Sequence, residues 1–259
     1  MMNSSMKVNL KKAVIHFCVT AFWLLIWDIA AYIFKYDFIL PNVKSTLFAI
    51  CELFSPALLP STLGSIFSSL KTIFSGFFIG TFMGIVLATI SILIPAFKIF
   101  ISPIMSIAKS IPVTAIILML WLIIGGSNVP MAIALIMVMP IIWQSVISGN
   151  ESIDKNLNEV CYMYEFNPVK RIRLLVIPVI SKFILSALLT ASGLAWKAGI
   201  AAEIICITKS SIGKEIYIYK SLYEGDKMFA WIVIILLISI IIEKLIGLGI
   251  RGIIKKWHL

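Results

Sequence analysis

Ser186, Thr190, Gly193 and Lys197 step by four, three and four residues, a spacing that aligns small and polar groups along one face of a helix. Their neighbours are almost all apolar, so this stripe must face protein or water and not hydrocarbon. An ammonium near mid-membrane costs ~3 kcal/mol on insertion scales. Lys197 therefore needs a partner or an aqueous cavity, unless its stem lets the charge snorkel to the interface. Lys109 and Ser110 form a second candidate, because they directly precede Ile111-Pro112. A proline frees a backbone carbonyl there, where polar side chains already interrupt the apolar run, and a kink is expected. These five polar residues, Lys109, Ser110, Ser186, Thr190 and Lys197, are the candidates for a polar path through apolar surroundings.

Other chemistry finds little support. His16 and His258 stand at opposite ends of the chain, and Cys18, Cys51, Cys161 and Cys206 form no CxxC pair. Neither a metal site nor a disulfide framework is implied, and no catalytic residue is assigned. Asp28, Lys71, Glu203 and Glu243 read as solvated or structurally paired groups. Glu203 follows Lys197 by six residues, so the two do not share a helix face. Gly247, Gly249 and Gly252 spell G-x-G-x-x-G, but no strand precedes them, which removes the dinucleotide reading.

The elements that position the candidate residues follow from composition. Hydrophobic residues make up 61% of the 259 positions and charged residues 13%, too little polar surface for a water-soluble domain of this size. The long unbroken apolar runs indicate helices and not a β-barrel. The expected fold is thus all-α and polytopic, a single membrane domain over 1–259 with about six transmembrane helices near 13–34, 65–92, 97–124, 130–148, 177–205 and 228–250. The first run is longer than a signal peptide's apolar region and lacks a cleavage site, so it reads as a retained span. The segment 35–61, with Pro41, Pro56 and Pro60 and an amphipathic stretch near 43–54, reads as an interfacial connector.

There are 22 basic and 12 acidic residues. The basic ones gather beside span ends, which favours membrane anchoring over nucleic-acid binding. Lys7, Lys11, Lys12, Lys98, Lys155, Lys170, Arg171, Arg173, Arg251, Lys255 and Lys256 fall on one side. Lys35, Lys44, Lys209, Lys214, Lys220 and Lys227 fall on the other, mixed with acids. This bias places both termini in the cytoplasm. Within the second span Gly76, Gly80 and Gly84 recur at four-residue intervals, a face that lets another helix backbone approach closely.

Residues 150–178 are the longest charged interruption on the cytoplasmic side. Ile153, Leu157, Val160, Cys161 and Tyr164 recur at helical spacing with charges on the other faces, so a short amphipathic helix between spans 4 and 5 needs a partner surface. Asn167-Pro168 ends it, and Lys170, Arg171 and Arg173 anchor the cytoplasmic end of the next span.

The same loop carries a family resemblance. Glu159-Val160-Cys161, three residues, Glu165, nine residues and Leu175-Val176-Ile177-Pro178 have the spacing of the E-A-A-x3-G-x9-I-x-L-P loop of bacterial ABC importer permeases. Valine and cysteine replace the two alanines, and Glu165 takes the glycine position. A left-handed turn costs a non-glycine residue roughly 1 kcal/mol, so either the turn has changed or Asn167-Pro168 sets it. Ile39-Leu40-Pro41, Ser110-Ile111-Pro112, Gly193-Leu194-Ala195-Trp196 and Ala201-Ala202-Glu203 look similar to segments of the nitrate/sulfonate/taurine branch.

The resemblance implies an inner-membrane subunit of an ATP-driven importer, two copies of which form the pathway. It implies that Leu157, Glu159, Val160, Cys161, Tyr162, Tyr164, Glu165, Phe166, Asn167 and Pro168 couple it to a cytoplasmic ATPase. It also implies an external substrate-binding protein that delivers cargo. The chain carries no G-x-x-x-x-G-K-[ST], so ATP and magnesium belong to the partner, and this chain is not itself an enzyme. The expected cargo is a small solute, either an anion such as a sulfonate or nitrate, or a neutral vitamin precursor. A stand-alone secondary transporter is the competing class.

Overall fold

The computed structural model describes residues 4–36 and 38–257; the side chains of residues 4–13, 16, 155, 158, 162, 168, 169 and 253–257 fall outside the described set. The described residues form helices and no strand. In order these are α1 (Ser4–Phe34), α2 (Val43–Leu53), α3 (Leu59–Leu93), α4 (Pro95–Ser110), α5 (Val113–Ile124), α6 (Val129–Glu151), α7 (Lys155–Met163), α8 (Pro168–Arg171), α9 (Ile177–Cys206), α10 (Ile212–Ser221) and α11 (Gly225–Trp257). The 35-residue α3 and 30-residue α9 are about 50 and 45 Å long at 1.5 Å per residue, more than a ~30 Å hydrocarbon core requires. Among the described residues, five segments are long and apolar enough to cross a membrane alone, and α4 with α5 is a sixth if the pair, bent by 105°, counts as one span.

The bend falls where the sequence places Ile111-Pro112. Ile111 adopts an extended conformation, φ −73° and ψ 134°, because a following proline disfavours the helical region for the residue before it. The expected kink within 97–124 is thus a full break between two helices. The pair nevertheless makes one net crossing. Gly76, Gly80 and Gly84 of α3 meet Met131, Leu135 and Met139 of α6 in ascending order, so α3 and α6 run in the same direction and the chain between them must return across. It starts beside the far end of α6, where Lys98 pairs with Glu151, and finishes at Gly126 against Cys206.

The chain divides into two compact units. One comprises residues 64–214 and 235–259. Its centre is the antiparallel pair α6 and α9: Val129, Ile133, Ala198, Ala202 and Cys206 form a buried cluster at one end, and Ser145 donates to the Phe183 carbonyl at 2.8 Å toward the other. The glycine stripe lets α3 approach α6. A Cβ on Gly76 would stand 2.1 Å from the Met131 carbonyl oxygen, and on Gly80 or Gly84 2.8 Å from those of Leu135 and Met139. The Trp143 indole donates to Ser91 Oγ at 3.0 Å within the same contact.

The other unit comprises residues 1–63 and 215–234. Asn42 caps α2 by accepting from the Ser45 amide at 2.8 Å, as short polar side chains do at helix N-termini. Asp28 accepts from the Val43 amide at 2.8 Å and the Trp27 indole donates to the Pro41 carbonyl at 3.0 Å, which ties α1 to the start of α2. Lys227 bridges Glu52 at 3.2 Å and Glu224 at 3.0 Å. Burial, followed by the carboxylate of Glu215, pushes the Tyr219 phenol upward in pKa.

Candidate functional site

Outside the crossing segments, α7 presents an apolar face that its own chain leaves bare. Leu157, Val160 and Tyr164, spaced by three and four residues, are exposed at 48%, 44% and 73%, while Cys161 is buried. Glu159 is exposed beside them; the side chains of Tyr162 and Pro168 lie outside the described residues. The helix ends in a left-handed residue, Glu165, with φ +48°. The Phe166 amide donates to the Cys161 carbonyl at 2.9 Å, which is the six-to-one bond of a Schellman ending. The turn is therefore retained at the glycine position with a glutamate in it, at a cost of about 1 kcal/mol. Asn167 is exposed, and the Lys170 ammonium lies 4.3 Å from the Phe166 ring centroid, a cation–π contact that braces the turn. A wide π turn over Ile172–Val176 then leads into α9.

The polar stripe of α9 opens onto a cavity of about 340 Å³. Thr190, Gly193, Trp196 and Lys197 line it from α9, and Ser239, Ile242 and Glu243 from α11. A second cavity of about 550 Å³ continues from it, sharing Leu189 and Glu243 and reaching Gly247 and Arg251. A Cβ on Gly193 or Gly247 would meet nothing within 4 Å, so these glycines border open space, unlike the packed glycines of α3. Ser186 lies one turn before Thr190, whose hydroxyl is 3.5 Å from the Ser186 carbonyl. Lys109 and Ser110 stand at the end of α4 beside the break and do not line either cavity.

Sequence reasoning missed the opposite wall. Ser239, Glu243, Gly247 and Arg251 recur every four residues on α11, a helical-face signal like that on α9, overlapped by the G-x-G-x-x-G pattern of Gly247, Gly249 and Gly252.

Glu203 does different work. It is 1% exposed, and its Oε2 accepts from the Ser69 hydroxyl at 2.8 Å and the Gly213 amide at 3.1 Å. The Ser69 oxygen in turn accepts from the Ile212 amide at 3.0 Å. One carboxylate thus joins α3, α9 and the first turn of α10, satisfying amides that a helix N-terminus leaves unpaired.

Comparison with known proteins bears on this architecture. Residues 80–255 match the family described as "Binding-protein-dependent transport system inner membrane component". The chain belongs to this family. The matched region contains the broken α4–α5 crossing, the α7 loop and both walls of the cavity. The permease is 25% identical over 256 residues to a putative ABC transporter permease protein of Methanocaldococcus jannaschii, covering 98% of this chain and 94% of that one. Its fold resembles that in the "Crystal structure of an amino acid ABC transporter with histidines", with a TM-score of 0.62 at 20% identity over 75% of this chain and 94% of the other. The chain is thus a membrane-embedded permease subunit of the ABC importer class, a transport component.

Proposed function

We propose that two copies of this permease form the pathway of an ATP-driven importer. Residues 150–178 lie in the cytoplasm, Leu157 to Pro168 dock on an ATP-binding subunit, and an external binding protein delivers the cargo. The observation that carries the reading is α7: an amphipathic helix with Leu157, Val160 and Tyr164 bare, held by the left-handed turn at Glu165. An apolar stripe of that length suits a groove on a partner. Movement of the docked helix would reach α9 through α8 and the π turn, and differential binding of ATP would shift the spans between inward-facing and outward-facing states.

The pathway residues are Thr190 and Lys197, with Ser186 one turn away and Lys109 and Ser110 at the α4–α5 break. The basic bias supports a chain in the cell membrane with both termini in the cytoplasm. The two lysines among these residues, Lys109 and Lys197, would suit an anionic cargo of the sulfonate or nitrate kind.

The test is reconstitution with the cognate ATPase and binding protein in proteoliposomes. Glu159→Lys and Val160→Trp should each retain insertion and ATP hydrolysis while transport falls by roughly tenfold or more, about 1.4 kcal/mol of lost coupling. Unchanged coupling in both variants rejects the docking assignment. Solute uptake without any ATPase would instead identify a secondary transporter.

A further inference from the structure

A cavity of about 510 Å³ lies among the last turns of α3, the end of α6 and the start of α9, all within the unit of residues 64–214 and 235–259. Ile85 and Ile92 of α3, Val176 of the π turn, and Ile180 and Ile184 of α9 line it, each half-buried. From Ile85 to Leu93, and from Ile177 to Ile184, these walls run for about 10–12 Å at 1.5 Å per residue. Thr89 and Ser181 also border the space, but their hydroxyls donate to the Ile85 and Ile177 carbonyls of their own helices. The other polar groups of the lining, Asn150 and Arg171, are half-buried and stand at one end. Among the described residues the Asn150 carboxamide makes no hydrogen bond. Its neighbour Glu151 pairs with Lys98, and Lys170 and Arg173 are exposed beside Arg171, so this is the watery end. The cavity is thus apolar along its length and carries a guanidinium at its mouth.

From this division we infer that the cavity binds one anionic phospholipid of the cytoplasmic leaflet. The phosphate takes the Arg171 guanidinium, whose planar fork matches phosphate oxygens, and the Asn150 amide group. One acyl chain follows the isoleucine walls inward, where its burial adds to the attraction. Simpler occupants match only part of the lining. Inorganic phosphate leaves the isoleucine walls unfilled, and a neutral amphiphile leaves the guanidinium without an anion. A phosphatidylcholine brings a phosphate, but its ammonium would stand among Arg171, Lys170 and Arg173. Basic pockets between membrane helices on the cytoplasmic side favour acidic headgroups for these reasons. A lipid bound there would lie against Arg171 to Ile177, the stretch that joins α7 and α8 to α9. The inference rests on the importer reading only for the choice of leaflet.

The experiment is native mass spectrometry of the full chain assembled with its ATPase in detergent, without nucleotide. The complex is titrated with phosphatidylglycerol or phosphatidylcholine of identical acyl chains, and separately with inorganic phosphate. The tightest-bound phosphatidylglycerol should be held roughly fivefold more strongly than phosphatidylcholine. Arg171→Gln should remove that preference. Arg173→Gln changes a cation that is exposed and outside the cavity, and should retain it. Ile180→Trp leaves every charge in place but fills the apolar wall, and should weaken both lipids roughly tenfold. Equal affinity of the unaltered complex for the two lipids overturns the inference, as does unchanged binding in Ile180→Trp. A loss of preference in Arg173→Gln as full as in Arg171→Gln would reveal diffuse attraction to the basic belt and also overturns it. Displacement of phosphatidylglycerol by inorganic phosphate would identify a free-anion site instead. These outcomes are read without ATP turnover. If the Glu159 and Val160 variants uncouple transport but the lipids are not distinguished, this inference alone fails; if phosphatidylglycerol is preferred but coupling is unaffected, the docking assignment alone fails.

Discussion

Replacing Gly76 by alanine adds one methyl group to the closest backbone approach between α3 and α6. The new Cβ would lie 2.1 Å from the Met131 carbonyl oxygen, 2.9 Å from the Ala134 Cβ and 3.0 Å from the Met131 carbonyl carbon. A carbonyl inside α6 cannot swing away like a side-chain tip, so the helices must part by on the order of 1 Å, which forfeits a quarter to a half of the dispersion well along the contact. Overpacking of this kind costs about 1–3 kcal/mol, and a clash with backbone belongs at the upper end. Against it, alanine favours a helix interior over glycine by about 1 kcal/mol.

The net expectation is a loss of about 2 kcal/mol. The same change at Gly193, where nothing lies within 4 Å, should give a gain of up to about 1 kcal/mol. At about 2–4 °C per kcal/mol, the two variants should differ in midpoint by roughly 6–12 °C, with Gly80→Ala and Gly84→Ala between them. Thermal unfolding of the detergent-solubilised permease can be followed by reaction of a thiol dye with the buried Cys161 and Cys206. A Gly76→Ala midpoint equal to or above that of Gly193→Ala would refute the reasoning.

Two more outcomes are expected from the same geometry. Ser69→Ala removes a hydroxyl that donates to Glu203 and accepts from the Ile212 amide, leaving buried groups unmatched, and should lower stability by about 2–3 kcal/mol in the same dye assay; an unchanged midpoint would show that the link carries no weight. Glu165→Gly relieves the left-handed strain at φ +48° and should stabilise the α7 ending by about 1 kcal/mol. Hydrogen exchange at the Phe166 amide, which bonds to the Cys161 carbonyl, should slow accordingly, and faster exchange would contradict it.

The membrane class, the approximate spans and the two kinds of small-residue stripe were legible in the sequence, because each depends on local period and composition. The amphipathic stretch near 43–54 is the helix α2, and the break after Ile111 follows from one proline. The loop spacing from Glu159 to Pro178 pointed to the family that residues 80–255 match. What the sequence left open at Glu165 was the backbone conformation: the left-handed region is costly for glutamate, and only a capping bond and a braced turn hold it there.

Tertiary structure decided that the α9 stripe, which steps by four, three and four around a single glycine, faces a cavity, whereas Gly76, Gly80 and Gly84 face a helix backbone. It also separated three charged residues that composition treats alike. Glu203 is joined to Ser69 and Gly213 across more than a hundred residues and ten residues of chain respectively. Lys197 and Glu243 meet one cavity from helices that no local pattern pairs. Local sequence determines each helix and the face it offers, whereas the partner of that face depends on long-range packing that only the folded chain specifies.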